Sequence, residues 1–340
     1  MTMETAIRTA PASWYSDPSC WPRERKHIFA RAWQFATHVS DLPAPGCWRA
    51  ETLAGYPIVI VRGEDDVLRA FHNVCRHRAG PLTNADSGKC EGALTCQYHG
   101  WRYALDGRLR SARDFGPASD FDIRDFSLFP VQIDVWRGLI FVAIDAGTPP
   151  LRSFLAPLDA RLADTDWRDM HIALRRSHDL RCNWKTYVEN YLEGYHVPAM
   201  HPGLDAEIVA ADYRVRVEGA IAIHEVPMRD LNPVYDGLWA WAWPNLGFNI
   251  YARGLMIERM APNGQGGTRL EYLYLTPAGE DVSPETLKMS DAVTAEDKWI
   301  TERVQENLDA GVYDTGRLSP KHEGAVAAFQ KMVGDALGQA

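Results

Sequence analysis

The chain changes its hydrophobic rhythm several times. Between about residues 21 and 37, the charged run Arg23, Glu24, Arg25 and Lys26 precedes apolar Ile28, Phe29, Ala32 and Trp33, a pattern that predicts a short amphipathic helix. From Gly46 to Ile144 the pattern turns to strands. Tyr56–Val61, Val67–Phe71 and Gly138–Ile144 are β-branched or aromatic runs bounded by Gly, Asp or Pro. Trp101–Leu109 reads as a strand, an Asp106-Gly107 turn and a second strand. Gly147-Thr148-Pro149-Pro150 closes this β segment. Helical spacing returns over Leu180–His196, where Trp184, Val188 and Leu192 recur at every fourth position. Pro198 is expected to end that helix, because it has no N–H and clashes with the preceding turn. Strand-like runs follow between 205 and 278, among them Arg214–Glu218 and Arg269–Leu275, with Gly264–Gly267 as a turn. Residues 291–309 then read as a long terminal helix, and no internal repeat or low-complexity segment is visible.

A chain of 340 residues exceeds the size at which one core keeps growing, so two domains are expected. The net charge of −9, with no basic run of five or more, argues against a nucleic-acid partner. Met1–Trp14 has no apolar leader-like core, and no stretch approaches the length of a membrane span. A soluble cytoplasmic protein without a membrane partner is therefore expected. Six cysteines are too few for a disulfide scaffold. Cys20, Cys47, Cys90 and Cys182 read as free thiols, while Cys75 and Cys96 stand in different company.

That company is Cys75-Arg76-His77, eighteen residues, then Cys96-Gln97-Tyr98-His99. Two thiolates and two imidazoles on two short loops suit a Rieske [2Fe–2S] cluster, in which Cys holds one iron and His the other. A zinc site uses the same residue types. Each half here ends in His, and Gly100-Trp101 follows the second half as in Rieske domains. A second cluster runs from Asn183-Trp184-Lys185 into Glu189-Asn190-Tyr191-Leu192-Glu193-Gly194-Tyr195-His196, then Val197-Pro198-Ala199-Met200-His201. Glu193 and His196, three apart on the expected helix, would share a face. Two imidazoles and one carboxylate leave an octahedral Fe(II) with open positions for O2 and substrate.

With both clusters in view, the sequence resembles the catalytic α subunit of Rieske non-haem iron oxygenases, from Trp14 to about Phe329. The gap between His77 and Cys96 is slightly longer than is usual there, and Glu stands where many members have Asp before Tyr195-His196. The resemblance implies an α+β fold, with a Rieske-type antiparallel β domain inserted in a helix-grip catalytic domain. Residues 1–45 would be the N-terminal helical part of the catalytic domain, 46–144 the Rieske domain and 150–340 the mononuclear iron domain. It further implies that Cys75, His77, Cys96 and His99 bind the cluster and that His196 and His201 bind iron. Asp297 is the best match for the third ligand, with Glu296 and Glu302 as alternatives. Glu193 would bridge His196 to His99 of a neighbouring subunit, in a homotrimer, with Asn190 and Tyr195 ordering the site.

The resemblance also implies O2 as co-substrate and electrons from an NAD(P)H-dependent reductase, with or without a ferredoxin. The chain has no nucleotide-binding Gly-rich fingerprint of its own, so hydride chemistry belongs to that partner. Trp239, Trp241, Trp243 and Tyr251 alternate along one strand and offer aromatic faces to a cation. Together with likeness to the choline, carnitine and betaine branch, they favour hydroxylation or oxidative demethylation of an N-methylated or quaternary ammonium compound. The alternatives are an aromatic-ring-hydroxylating dioxygenase α subunit, a Rieske electron-transfer protein and a zinc-dependent binding module.

Overall fold

A computed structural model of the chain describes residues 7–162, 165–229, 234, 237–251 and 253–338. Contacts divide it into two compact units. The first, residues 30–151 with 166–169, is antiparallel β. Its larger sheet contains β1 (Gln34–His38), β2 (Cys47–Leu53), β3 (Tyr56–Arg62), β4 (Leu68–His72) and β5 (Ser87–Lys89). A smaller sheet is made by β6 (Ala93–Thr95), β7 (Arg102–Ala104) and β8 (Leu109–Ser111), and β9 (Pro130–Trp136) and β10 (Leu139–Ala143) return to the larger one. The larger sheet runs β1-β10-β9-β4-β3-β2-β5, the smaller β6-β7-β8.

The expected helix over 21–37 stops early, and its second half is a strand. All five residues of β1 are buried, and four of them pair with β10, from Gln34↔Val142 to His38↔Leu139, with Ala36 passed over at a register shift. A strand covered on both faces shows no alternation, so apolar content alone does not separate it from a helix. This pairing also puts the boundary between the units at Phe29/Ala30, ahead of the residue 46 expected from the change in pattern.

The second unit takes in the described residues of 1–29, 152–165 and 170–340. Its helices are α1 (Ser13–Ser16), α2 (Cys20–His27), α3 (Leu151–Leu162), α4 (Trp184–Tyr191), α5 (Val197–Met200), α6 (Pro202–Glu207), α7 (Pro284–Asp309) and α8 (Gly324–Leu337). The strands are β11 (Met170–Leu180), β12 (Arg214–Glu218), β13 (Ile221–Glu225), β14 (Leu238–Ala242), β15 (Leu246–Tyr251), β16 (Gly254–Pro262) and β17 (Thr268–Pro277). They form one antiparallel sheet in the order β11-β17-β16-β15-β14-β13-β12. The α+β class expected from the sequence is the one observed.

The N-terminal helices belong to this unit through a buried polar tie. Glu24 on α2 accepts a hydrogen bond from Trp184 Nε1 at 2.8 Å and pairs with Lys185, both charges almost fully buried. Such a pair is costly to break from one side, because the remaining charge stays buried without its counter-ion.

Two helix ends differ from expectation. The helix through Trp184 and Val188 starts at the Asn183 cap, whose side chain accepts from Lys185 N, and ends at Tyr191. Beyond it, Gly194 lies against the ring of Tyr213, where a Cβ would stand 2.1 Å from a ring carbon, so only glycine fits this turn. Pro198 therefore ends nothing; it sits in the first turn of α5, where its missing N–H is harmless. The helix expected over 291–309 begins at Pro284, capped by Ser283 accepting from Thr286 N. It is not terminal: α8 follows, ending at Gly338 in the left-handed conformation.

Candidate active site

The β unit holds its thiols and imidazoles in two matched turns. In the first, Cys75 N donates to Gly80 O at 2.8 Å; in the second, Cys96 N donates to Trp101 O at 2.8 Å. Asn73 pins the first loop, its side-chain oxygen accepting from Leu82 N and Thr83 N and its amide donating to Thr83 O. Gly80 brings the loops together, since a Cβ there would lie 3.1 Å from Cys96 Sγ. Both cysteines are buried, 2% exposed each, whereas His77 is half-buried and His99 exposed. The two Nδ1 atoms converge to 3.1 Å, and the His77 ring stacks on Trp101 at 4.9 Å. Tyr103 places its hydroxyl 3.1 Å from Cys75 Sγ and accepts from Arg76 N. Buried sulfur on one side and outward imidazole on the other is the donor arrangement a Rieske cluster requires.

The second unit gathers His196, His201 and Asp297, whose ligand atoms all lie within 4.8 Å of one another. His196 Nε2 and His201 Nε2 are 3.1 Å apart. Asp297 Oδ1 stands 3.0 Å from His201 Nε2 and 3.8 Å from His196 Nε2. Donors on one face of an octahedron with bonds of about 2.1 Å stand about 3 Å apart, so the three fit the two-His, one-carboxylate arrangement. Each donor has its own partner. His196 Nδ1 bonds Glu193, His201 Nδ1 lies 2.6 Å from Glu296 Oε2, and Asn190 Nδ2 donates to Asp297 Oδ1 at 2.7 Å.

Glu193 and His196 meet in a turn beyond α4 rather than on a helix face. Glu193 reaches back to accept from Tyr195 N and His196 N as well. Burial pulls the His201 imidazole down, but Asp297 and Glu296 together hold it above its ordinary value. Such surroundings favour positive charge, which a divalent ion supplies. Of the alternatives to Asp297, Glu296 supports His201, and Glu302 is engaged by Arg181 through N at 3.0 Å and NH2 at 3.1 Å.

A cavity of about 910 Å³, its mouth included, opens beside these donors. Its floor is one face of the sheet. Strand register aligns His224, Trp239, Asn249 and Met256 in one row, and Trp241, Gly247, Glu258 and Tyr272 in the next. Residues of α4 and α7, including Tyr187, Asn190, Met289 and Val293, line it too.

Trp239 and Tyr251 line the cavity; Trp241 and Trp243 do not, packing instead against Phe329 of α8. Same-face neighbours on a strand advance about 7 Å, so β14 carries its aromatic stripe out of the cavity and into the core. Gly247 completes the change, because the ring of Tyr191 occupies the space where a side chain would stand.

Sequence reading missed Glu258 and His224. Glu258, 5% exposed, has its carboxyl raised to about 8 by burial and then by the Asp297 charge. Burial lowers His224 to about 3, so its ring is neutral; Tyr213 OH lies 2.7 Å from its Nδ1, while its buried Nε2 has no partner. An acidic residue in the middle of β16, facing inward, was the available signal for the first.

A β unit with a Rieske donor set and an α+β unit with a two-His, one-carboxylate triad together define the oxygenase component of a Rieske non-haem iron system. Residues 167–339 match the ring-hydroxylating alpha subunit catalytic domain, and residues 32–126 match the Rieske [2Fe–2S] domain. The chain belongs to the ring-hydroxylating alpha subunit family. It is 29% identical over 333 residues to the carnitine monooxygenase oxygenase subunit of Escherichia coli (strain K12), covering 93% of this chain and 89% of that one. It is 28% identical over 337 residues to the chloroplastic choline monooxygenase of Arabidopsis thaliana, covering 92% and 79%. A solved quaternary ammonium Rieske monooxygenase, described in terms of carnitine oxidation and inter-subunit electron transfer, superposes with a TM-score of 0.87. That match has 26% identity and covers 97% of this chain and 96% of the other.

The protein is thus an oxidoreductase that uses a [2Fe–2S] cluster, mononuclear iron and O2 on a small molecule, with electrons from a reductase. Among the described residues, no helix is long and apolar enough to cross a membrane.

Proposed function

We propose that the chain hydroxylates or oxidatively demethylates an N-methylated or quaternary ammonium compound, as a homotrimer in the cytoplasm served by an NAD(P)H-dependent reductase. One observation carries the substrate class. The residues described as lining the cavity include no Lys or Arg, hold one carboxyl that the iron site leaves unused, Glu258, and offer aromatic faces from Tyr187, Trp239 and Tyr251. An aromatic-walled cavity without a fixed positive side chain suits a cation that cannot donate hydrogen bonds. The carnitine and choline monooxygenases among the relatives point the same way.

In this reading Cys75, His77, Cys96 and His99 hold the cluster, and His196, His201 and Asp297 hold the iron. Bound there, the iron supplies O2 activation beside the substrate. The protein's own groups do the positioning. Glu193 and Glu296 each accept a hydrogen bond from Nδ1–H of a ligand His, fixing the tautomer that turns Nε2 inward. Asn190 holds Asp297 by one oxygen. The cavity wall keeps the substrate out of bulk water and places a methyl group near the triad.

Glu193 is also the proposed route between subunits. Tyr98 and His99 are exposed on the β unit, and Tyr195, 59% exposed, flanks Glu193 on the other, so both ends of an intersubunit contact are on the surface. A head-to-tail contact of this kind closes into a ring. Product-coupled O2 uptake with a surrogate reductase tests the substrate class: ammonium compounds are expected to be turned over. Turnover of arenes with no turnover of any ammonium compound would overturn it.

A further inference from the structure

Beyond the ammonium class, and resting on that reading, we infer that the cavity selects a cation whose other end is a hydroxyl rather than a carboxylate, with Glu258 as counter-ion and His224 as hydroxyl partner. Glu258 is under-served by its neighbours. Tyr272 has one hydroxyl proton and stands 2.9 Å from Thr294 Oγ1 but 3.3 Å from Glu258. Thr294 cannot return the favour, since its own proton goes to Ser290 O at 2.7 Å. Tyr187 lines the same cavity. A buried carboxyl with so few donors keeps its proton while the cavity is empty, and a cation placed against it favours the ionised form, so Glu258 becomes a counter-ion by releasing that proton as the cation binds. Glu258 and Asp297 line the same cavity, so a cation held at Glu258 shares that cavity with the triad.

The other end of the cavity floor carries His224, whose Nε2 is buried and without a partner although Nδ1 is satisfied by Tyr213. Asn249, two strands away in the same row, likewise has a buried side-chain amide nitrogen with no partner. A hydroxyl can donate and accept, and so satisfies Nε2 in either tautomer. A carboxylate lacks a counter-ion here. The described lining contains no Lys or Arg, and the stretch 230–236 contains none in its sequence. Arg253, the nearest basic residue in sequence to Tyr251, is exposed and paired with Glu280. Placing a carboxylate against neutral imidazole and amide, with Glu258 in the same cavity, would leave a buried charge uncompensated.

Calorimetric titration of the iron-loaded, anaerobic holoenzyme tests this with choline, tetramethylammonium, glycine betaine, naphthalene and the neutral carbon analogue 3,3-dimethylbutan-1-ol. Choline is expected to bind most tightly, with glycine betaine and the neutral alcohol weaker by about 100-fold. Glu258→Gln should remove the preference for choline over the neutral alcohol. His224→Ala should lower choline to the affinity of tetramethylammonium while leaving tetramethylammonium unchanged. Glycine betaine binding as tightly as choline overturns the inference and leaves the ammonium reading standing, and this arm needs no variant. A His224→Ala change that weakens both cations equally also overturns it. Binding of naphthalene with no ammonium ion bound overturns the underlying reading instead.

Discussion

The cluster loops are held by backbone, whereas the iron triad is held by side chains. Around Cys75 and Cys96, each cysteine's own N–H closes a tight turn onto the residue five positions later, and the buried cysteines sit beneath a half-buried and an exposed imidazole. Around His196, His201 and Asp297, the positioning comes from Glu193, Glu296 and Asn190, drawn from a turn, a long helix and the end of a short one. The first design exposes one edge and suits a centre that must exchange electrons with a partner. The second encloses its donors beside a cavity and suits a centre that must control what reaches it. They should therefore fail differently.

The largest effect expected is from Asp297→Ala. Turnover should fall by about 1,000-fold or more, and iron should drop from about three to about two per chain with the Rieske spectrum intact. Loss of the cluster signal as well would show that the two centres are not independent. Glu193→Ala comes next, with both centres loaded and turnover reduced by about 100-fold or more, read by multiple-turnover assay beside iron analysis. Wild-type rates in this variant would eliminate Glu193 as the route between subunits. Glu296→Gln is expected to weaken iron binding by about 10-fold, with activity restored by added Fe(II) in a metal titration. The smallest change falls on the backbone-held side. Tyr103→Phe removes a hydroxyl 3.1 Å from Cys75 Sγ and should lower the cluster's reduction potential by on the order of tens of millivolts in a voltammetric measurement.

The same contrast explains what could be read from sequence. A centre built from two tight turns keeps its ligands within a few residues of each other, so Cys75, His77, Cys96 and His99 announce themselves by spacing. His196 and His201 also lie close together in sequence, but their reading as iron ligands came from likeness to the family's motif. Asp297 was reached by likeness to a family motif, because nothing local links it to a histidine 96 positions earlier. The roles of Glu296 and Asn190 were harder still. They arise only when α7 lies along α4, and an acidic residue on a polar helix looks the same whether it faces solvent or an imidazole.

The strand rows were least legible. Glu258 and His224 reach one cavity through the register of four successive hairpins, and a shift of one residue would turn either one outward. The aromatic stripe misled for a related reason. Trp239, Trp241 and Trp243 share a periodicity, but the strand carrying them outruns the cavity, and only the first of the three lines it. The helix through Trp184 stops at Tyr191, five residues short of the His196 expected from its periodicity.

Two of the three triad donor pairs, His196–His201 and His201–Asp297, already stand at the separation of a bound octahedral face, and each donor is fixed by a neighbour, which bears on metal choice. A site that need not rearrange to bind cannot use rearrangement to discriminate. Two imidazoles and a carboxylate accept several first-row divalent ions, and intrinsic affinity rises from iron through cobalt and nickel to copper. Occupancy by iron is then set by which ion the cell offers while the chain folds. Protein made with enough iron to fill the cluster but zinc in large excess should carry a full cluster beside an inert ion at His196, His201 and Asp297: red in colour, reducible, and catalytically silent.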